Sequence, residues 1–298
     1  MFRLGLVGAG RMGQTHLAAL KDSATVSVTA VVEPRPDVAA ALAADGYAVH
    51  ASIADLLIAG GVDGFLVATP SGFHVDVIRQ LAPAGLPILS EKPCGLSVED
   101  ASTVKEIVES AGVRLQIGYW RRFVPSMIEL KKDIESGRFG RLLFVHASQW
   151  DYRPPAAEFR NSSGGILTDM GVHEIDVIHW LTGESPRAIT GTVLMSTTPG
   201  VVDEDSAVFS LVLPSGTLGI ATLGRFYPEA DFVGIEVMGE EDHVRIEVLA
   251  GEAGEVTQMA ALRAQAEAFA AGGVPDGATI DDAVTALRVV SLYSPGSD

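Results

Sequence analysis

Phe2-Arg3-Leu4-Gly5-Leu6-Val7-Gly8-Ala9-Gly10-Arg11-Met12-Gly13 decides the fold. Phe2 to Val7 is an apolar run with strand character. Gly8 to Gly13 follows at once as G-x-G-x-x-G, and Arg11 to Leu20 has the composition of a helix. Strand, glycine turn and helix in that order make a phosphate-binding unit. The first glycine permits the tight turn. The second lets backbone approach a pyrophosphate. The third lets the helix pack close to the strand. The helix N-terminus adds free N–H groups and the positive end of its dipole.

Outward from this turn the grammar repeats. Thr25 to Val32 predicts a second strand, closed by Glu33, 20 residues beyond Gly13. A carboxylate there can accept from the ribose hydroxyls of NAD, and Arg35, two residues on, could instead hold the 2′-phosphate of NADP. Helices are expected over Asp37 to Ala44, Ser52 to Ala59, Val75 to Leu81 and Ser97 to Ser110. Strands are expected over Ala48-Val49, Gly64 to Ala68, Pro87 to Leu89 and Val113 to Ile117. Such alternation means an α/β fold with a doubly wound parallel sheet. Ligands bind outside the carboxyl ends of its strands, where Thr69-Pro70 and Glu91-Lys92-Pro93 fall.

Beyond Tyr119 the pattern changes. Pro125 to Ser136 predicts a helix and Leu142 to Tyr152 a long strand. After Gly183, five strands follow with short turns: Ala188 to Ser196, Ser206 to Leu213, Thr217 to Arg225, Gly234 to Met238 and Val244 to Val248. Consecutive strands of this kind form a mostly antiparallel sheet, so the second half is an α+β domain. Thr257 to Ala271 and Thr279 to Leu292 are expected as closing helices.

Gly164 to Leu181 is expected as one helix. At about 100° per residue, Asp169, His173, Asp176 and Trp180 fall within about 60° of one another. Leu167, Ile175, Ile178 and Leu181 take the opposite, core-facing side. A carboxylate and an imidazole one turn apart suit proton transfer, because imidazole titrates near neutrality and a carboxylate can orient it. Glu174 lies among the apolar positions and calls for an arginine partner. His173, Asp176 and His179 do not converge as metal ligands, and no metal is expected.

Composition excludes other classes. The 298 residues are 47% hydrophobic, with no apolar run near the ~20 residues of a membrane helix. A net charge of −17 argues against nucleic acid and against anionic membrane surfaces. The one cysteine, Cys94, cannot close an internal disulfide, which suits a reducing, cytoplasmic setting.

On these residues the chain resembles the Gfo/Idh/MocA oxidoreductase family. The resemblance rests on Gly8 to Gly13, Glu33, Ala68-Thr69-Pro70, His74, Glu91-Lys92-Pro93, Arg121-Arg122-Phe123 and Gly164 to Leu181. The motifs look most like the inositol 2-dehydrogenase branch. The resemblance implies an N-terminal Rossmann domain over residues 1–118. It implies a C-terminal substrate-binding and oligomerisation domain over 119–298, whose sheet packs against another subunit in a homodimer or homotetramer. It implies a catalytic set of Lys92, Asp169 and His173. The cofactor, NAD or alternatively NADP, would meet Gly8, Gly10, Arg11, Met12, Gly13, Glu33, Arg35, Thr69, Pro70, His74, Glu91 and Lys92. A cyclitol or sugar would meet Lys92, Trp120, Arg121, Trp150, Asp169 and His173. Ser71 departs from the family, which often has Asn there. The expected reaction is hydride transfer between a secondary alcohol and the nicotinamide. Two alternatives use the same residues: a lyase or isomerase that recycles a tightly bound NAD, and a non-catalytic NAD(P)-binding regulator.

Overall fold

The computed structural model describes residues 1–273 and 277–293, in two compact units. In the first unit, β1 (Phe2–Val7), α1 (Arg11–Leu20), β2 (Val26–Val32), α2 (Pro36–Ala44), β3 (Ala48–His50), α3 (Ile53–Ala59), β4 (Gly64–Val67), α4 (His74–Leu81), β5 (Ile88–Ser90), α5 (Val98–Ala111) and β6 (Leu115–Ile117) follow in order. The six strands are all parallel in the order β3-β2-β1-β4-β5-β6. The strands are short and β-branched or apolar because helices cover both faces. The order reverses between β1 and β4, so a ligand crevice opens at their carboxyl ends, at Gly8 and at Ala68-Thr69-Pro70. Ser52 caps α3 by accepting from the Asp55 N–H at 3.2 Å.

The boundary expected near residue 118 divides the two sheets, but the tail of the chain corrects it. Met259–Ala283 belongs to the first unit. Ala266 and Phe269 are buried in the cluster built on Leu4, Leu6, Leu17 and Val31. Phe269 packs edge-on to Phe2, with ring centres 6.0 Å apart. Arg263 Nε donates to the Ala19 carbonyl at 2.8 Å, and the Ile117 N–H donates to Ala278 O at 2.9 Å. An alanine-rich helix reads the same wherever it docks, so its local sequence does not reveal its partner.

The second unit holds α6 (Pro125–Glu135), β7 (Leu142–Trp150), α7 (Ala157–Arg160), α8 (Val172–Thr182), β8 (Ala188–Met195), β9 (Glu204–Val212), β10 (Leu218–Gly224), β11 (Phe232–Gly239) and β12 (His243–Leu249). Its sheet runs β12-β11-β7-β10-β9-β8, antiparallel except for the parallel pair β7 and β10. α9 (Gly251–Ala270) and α10 (Ile280–Ser291) close the chain. The pleat sorts the sheet's faces. Val145, Ala147, Leu211, Ala221 and Val237 point to the buried face, where Gly219 leaves room for Ile178 of α8. Phe144, Val212, Leu218 and Met238 line up in register on the other face, and the last three are 40–48% exposed.

The segment from Gly164 to Leu181 is not one regular helix. Leu167–Gly171 forms a π-helical turn that runs into α8. Nor is it amphipathic: of the residues from Val172 to Leu181, all but His179 are buried. The expected polar stripe is therefore internal, and its charges find partners inside the protein.

Candidate active site

The first part of the site is built from backbone. Gly8 has φ +93°, and a Cβ there would sit 2.9 Å from Ala68 O and Thr69 N. A Cβ on Gly13 would strike the Gly8 carbonyl, so α1 lies against the turn only because Gly13 lacks one. Around Gly10 nothing lies within 4 Å of that position. Gly10 caps α1 with no side-chain acceptor, so the first-turn N–H groups of Arg11, Met12 and Gly13 keep no side-chain cap. These features fit a pyrophosphate: an open approach, free N–H donors and the positive end of the dipole.

Glu33 closes β2, buried, and its carboxylate is fully engaged. Oε2 accepts from the Ala9 N–H at 3.1 Å and from Arg35 Nη2 at 2.8 Å. Oε1 accepts from the Arg35 N–H at 2.9 Å and from Arg35 Nε at 2.8 Å. The Arg35 guanidinium, helped by these backbone donors against the cost of burial, holds the Glu33 pKa down at about 2. Glu33 is thus ionised at neutral pH, and Arg35 covers the oxygens that a ribose diol would use.

Lys92 follows β5 at its carboxyl end, joined to Pro93 by a cis peptide. Glu91 beside it is buried and bonded to His16, with Nε2 and Oε1 2.6 Å apart. The Lys92 N–H donates to Glu91 Oε2 at 3.3 Å. His16 thus anchors the residue that shapes the Lys92 turn, and the glycine motif one turn earlier on α1 gave no sign of it. His74 is fully buried, and burial lowers its pKa, so it is neutral and donates from Nε2 to the Thr69 carbonyl at 2.9 Å. Its visible task is to hold the Thr69-Pro70 turn. Thr69 Oγ1 is buried with no partner among the described residues, a hydroxyl placed for a ligand at the strand end. Burial pushes the Cys94 thiol up to about 12, so it is an inert packed thiol.

The second unit carries the helix residues. Glu174, expected among apolar neighbours with an arginine partner, is completely buried and accepts from Arg121 Nη1 at 2.5 Å. Arg121 Nη2 donates to Gln149 Oε1, also at 2.5 Å. The guanidinium of Arg121, expected to meet the substrate, is 2% exposed and engaged within the protein. Arg122 grips Asp176 with two bonds, Nε to Oδ2 at 3.1 Å and Nη2 to Oδ1 at 2.5 Å. Strand alternation puts the ring of Trp150, expected to meet the substrate, over Gly224, on the sheet face opposite α8. Trp120 and His173 are each 5% exposed.

Asp169, read as the partner of His173, accepts at Oδ2 from Arg225 Nη1 at 2.6 Å. Arg225 directly follows β10, and Asp151 directly follows β7. The two strands are parallel neighbours, so both side chains leave on the buried face, 3.8 Å apart. Nothing local in the sequence marks Arg225, because its partner lies 56 positions away.

Two family models match the chain. The oxidoreductase family with an NAD-binding Rossmann fold matches residues 2–119, and the GFO/IDH/MocA C-terminal domain matches residues 127–245. The chain belongs to the Gfo/Idh/MocA family. As a member it is an NAD-binding oxidoreductase. It is 43% identical over 293 residues to the rhizopine catabolism protein MocA of Rhizobium meliloti, covering 97% of this chain and 92% of that one. It is 32% identical over 249 residues to inositol 2-dehydrogenase of Rhizobium meliloti (strain 1021), covering 82% and 75%. Scyllo-inositol dehydrogenase from Lactobacillus casei, solved with NAD(H) and scyllo-inositol, superposes with a TM-score of 0.84 over 98% of this chain and 95% of that one. At 22% identity that likeness speaks for the fold alone.

Proposed function

We propose that this Gfo/Idh/MocA protein oxidises a secondary alcohol of a cyclitol or sugar with NAD. The observation that carries the reading is the likeness, over 82% of the chain, to an inositol 2-dehydrogenase. When bound, the nicotinamide supplies the acceptor for hydride. Gly8 to Gly13 hold the pyrophosphate through N–H groups, and Glu33 with Arg35 meets the adenosine ribose. His173 takes the hydroxyl proton as general base. Asp169, one turn before it, orients the imidazole and favours its charged form. Lys92 bonds the reacting oxygen and stabilises the negative charge that develops there. A polyol suits such groups, because each unmatched hydroxyl would leave a buried donor or acceptor unpaired.

The test is a panel of inositols and sugars with NAD and with NADP, read at the absorbance band of the reduced cofactor. Turnover of a cyclitol or sugar supports the reading. No turnover of any panel member overturns it.

Copies of the chain would meet through the open face of the second sheet, where Val212, Leu218 and Met238 are too exposed for a face left in water. A dimer or tetramer by light scattering would support this, and a monomer at micromolar concentration would count against it. A cytoplasmic setting accords with the single buried thiol. Among the described residues, no helix is long and apolar enough to cross a membrane.

A further inference from the structure

We infer that Arg225 is the positioning residue of the proton-transfer pair: it fixes the Asp169 carboxylate and sets how readily His173 takes a proton. The inference rests on the reading of His173 as base.

The geometry is that of a clamp. Arg225 is 1% exposed and reaches two carboxylates at once: Nη1 lies 2.6 Å from Asp169 Oδ2, and Nη2 lies 3.1 Å from Asp203 Oδ2. Asp203 is itself wholly buried and takes Arg160 Nε at 2.8 Å on the same oxygen. Arg160 is anchored in turn, with Nη2 donating to Asp205 Oδ1 at 2.9 Å and to the Glu204 carbonyl at 3.0 Å. The Arg225 N–H donates to Asp205 O at 2.8 Å. So Asp169 is tied through two guanidiniums to the start of β9 and to α7. Asp169 is also the one carboxylate of the set that starts a turn toward His173. The π-helical turn keeps residues four apart on one side of the helix, one turn from each other.

A clamp this buried costs desolvation that hydrophobic packing would not. A structural strut would need no contact with Asp169. The guanidinium is instead directed at the carboxylate next to the base.

Its electrostatic effect has a definite sign. Asp169 faces Arg225, just after β10, and Arg225 in turn lies 3.8 Å from Asp151, just after β7, while His173 stands one turn along on α8. Behind Arg225 stand Asp203, Glu204 and Asp205 with β9, and Arg160 of α7. A cation bound to Asp169 offsets the field that would otherwise favour imidazolium. With Arg225 in place, His173 is a base at lower pH than the carboxylate alone would allow.

The experiment follows the imidazole C–H signals of the full-length protein by NMR as pH is varied, His173 being assigned from His173→Gln. It needs no substrate. Arg225→Met should move the His173 midpoint upward by about half a pH unit or more, and Arg225→Lys, which keeps the charge, should move it less. Asp203→Asn removes the anion that balances Arg225, so it should move the midpoint the opposite way, downward. Asp203→Asn also serves if Arg225→Met fails to fold. In turnover with a panel substrate, Arg225→Met should lower kcat about a hundredfold with KM nearly unchanged, and methylguanidinium should restore part of the rate in Arg225→Ala. An unmoved His173 midpoint in the variants that fold overturns the inference. A moved midpoint in a protein that oxidises no polyol would sink the functional reading and leave the Arg225–Asp169 coupling standing.

Discussion

The two units manage buried charge in opposite ways. The first faces an anionic ligand chiefly with backbone: glycines, helix N–H groups and a strand end make the cradle, and the carboxylate that closes β2, Glu33, is neutralised by Arg35 two positions away. The second neutralises carboxylates with guanidiniums from far along the chain. Arg121 meets Glu174 across 53 positions, Arg122 meets Asp176 across 54, and Arg225 meets Asp169 across 56. A backbone cradle tolerates the loss of most side chains. A web of buried ion pairs does not, because each member leaves a charge behind when it is removed.

That contrast breaks most readily at Asp176. Asp176→Ala takes the bidentate carboxylate from the buried Arg122 guanidinium, and the expected cost is about 3–5 kcal/mol of stability. Urea unfolding of the apoprotein measures it. The pair Asp176→Leu with Arg122→Met should recover much of the loss, since it removes both charges together. A single variant as stable as wild type would mean that water reaches Arg122 and that the web is not closed.

The next effect falls on rate. Lys92→Ala should cut turnover by a hundredfold or more, about 3–4 kcal/mol of transition-state stabilisation, while NAD still binds to the glycine cradle. Turnover within threefold of wild type would remove Lys92 from the chemistry. If NAD binding collapsed as well, the first unit would depend on side chains more than its glycines suggest.

The same contrast explains what the sequence made legible. The parallel sheet and the phosphate turn could be read because their signals are local: Gly8, Gly10 and Gly13 fall within one β–α unit, where a Cβ on Gly13 would strike the Gly8 carbonyl. The strands of the second sheet could be read from length and turns. Ion partners could not. Glu174 announced that it needed an arginine, yet only packing selects Arg121. Arg225 and His16 gave no signal, since each acts on a residue distant in sequence. The π-helical turn was hidden for another reason: nothing in the sequence Leu167-Thr168-Asp169-Met170-Gly171 separates an i→i+5 turn from an α-helical one, and the turn lies beside β10, distant in sequence. The docking of Ala266 and Phe269 on the first sheet is likewise a tertiary choice.

A smaller effect concerns cofactor choice. Arg35 offsets the Glu33 charge, which otherwise repels a 2′-phosphate. Arg35→Ala should therefore weaken NADP binding more than NAD binding and widen the preference for NAD by about fivefold, near 1 kcal/mol. Fluorescence titration with both cofactors measures it. An unchanged ratio would show that Arg35 merely covers Glu33 and leaves when either cofactor arrives.

The smallest effect is the acid response of that same pair. Glu33 has its folded pKa held at about 2, well below the 4.5 of the free group. A depressed carboxylate contributes stability that is fully present above the unfolded pKa. Between pH 4.5 and about 2 the unfolded chain binds a proton that the folded protein does not, so stability falls as pH falls through that window. The full shift would overstate the worth of the pair, because the Arg35 side chain is 55% exposed and water screens it. About 1 kcal/mol is the expected contribution. In Arg35→Ala the backbone donors at Ala9 and residue 35 remain, so part of the depression survives. The wild type should thus be more stable than Arg35→Ala at pH 6 by about 1 kcal/mol, and the gap should narrow at pH 3.5. Urea midpoints at the two pH values measure it. A gap that holds constant would place the stabilisation in the packing of the Arg35 stem rather than in its charge. In that case the Glu33–Arg35 charge pair would add no stability to the cofactor turn, and the contrast with the second unit would be sharper still.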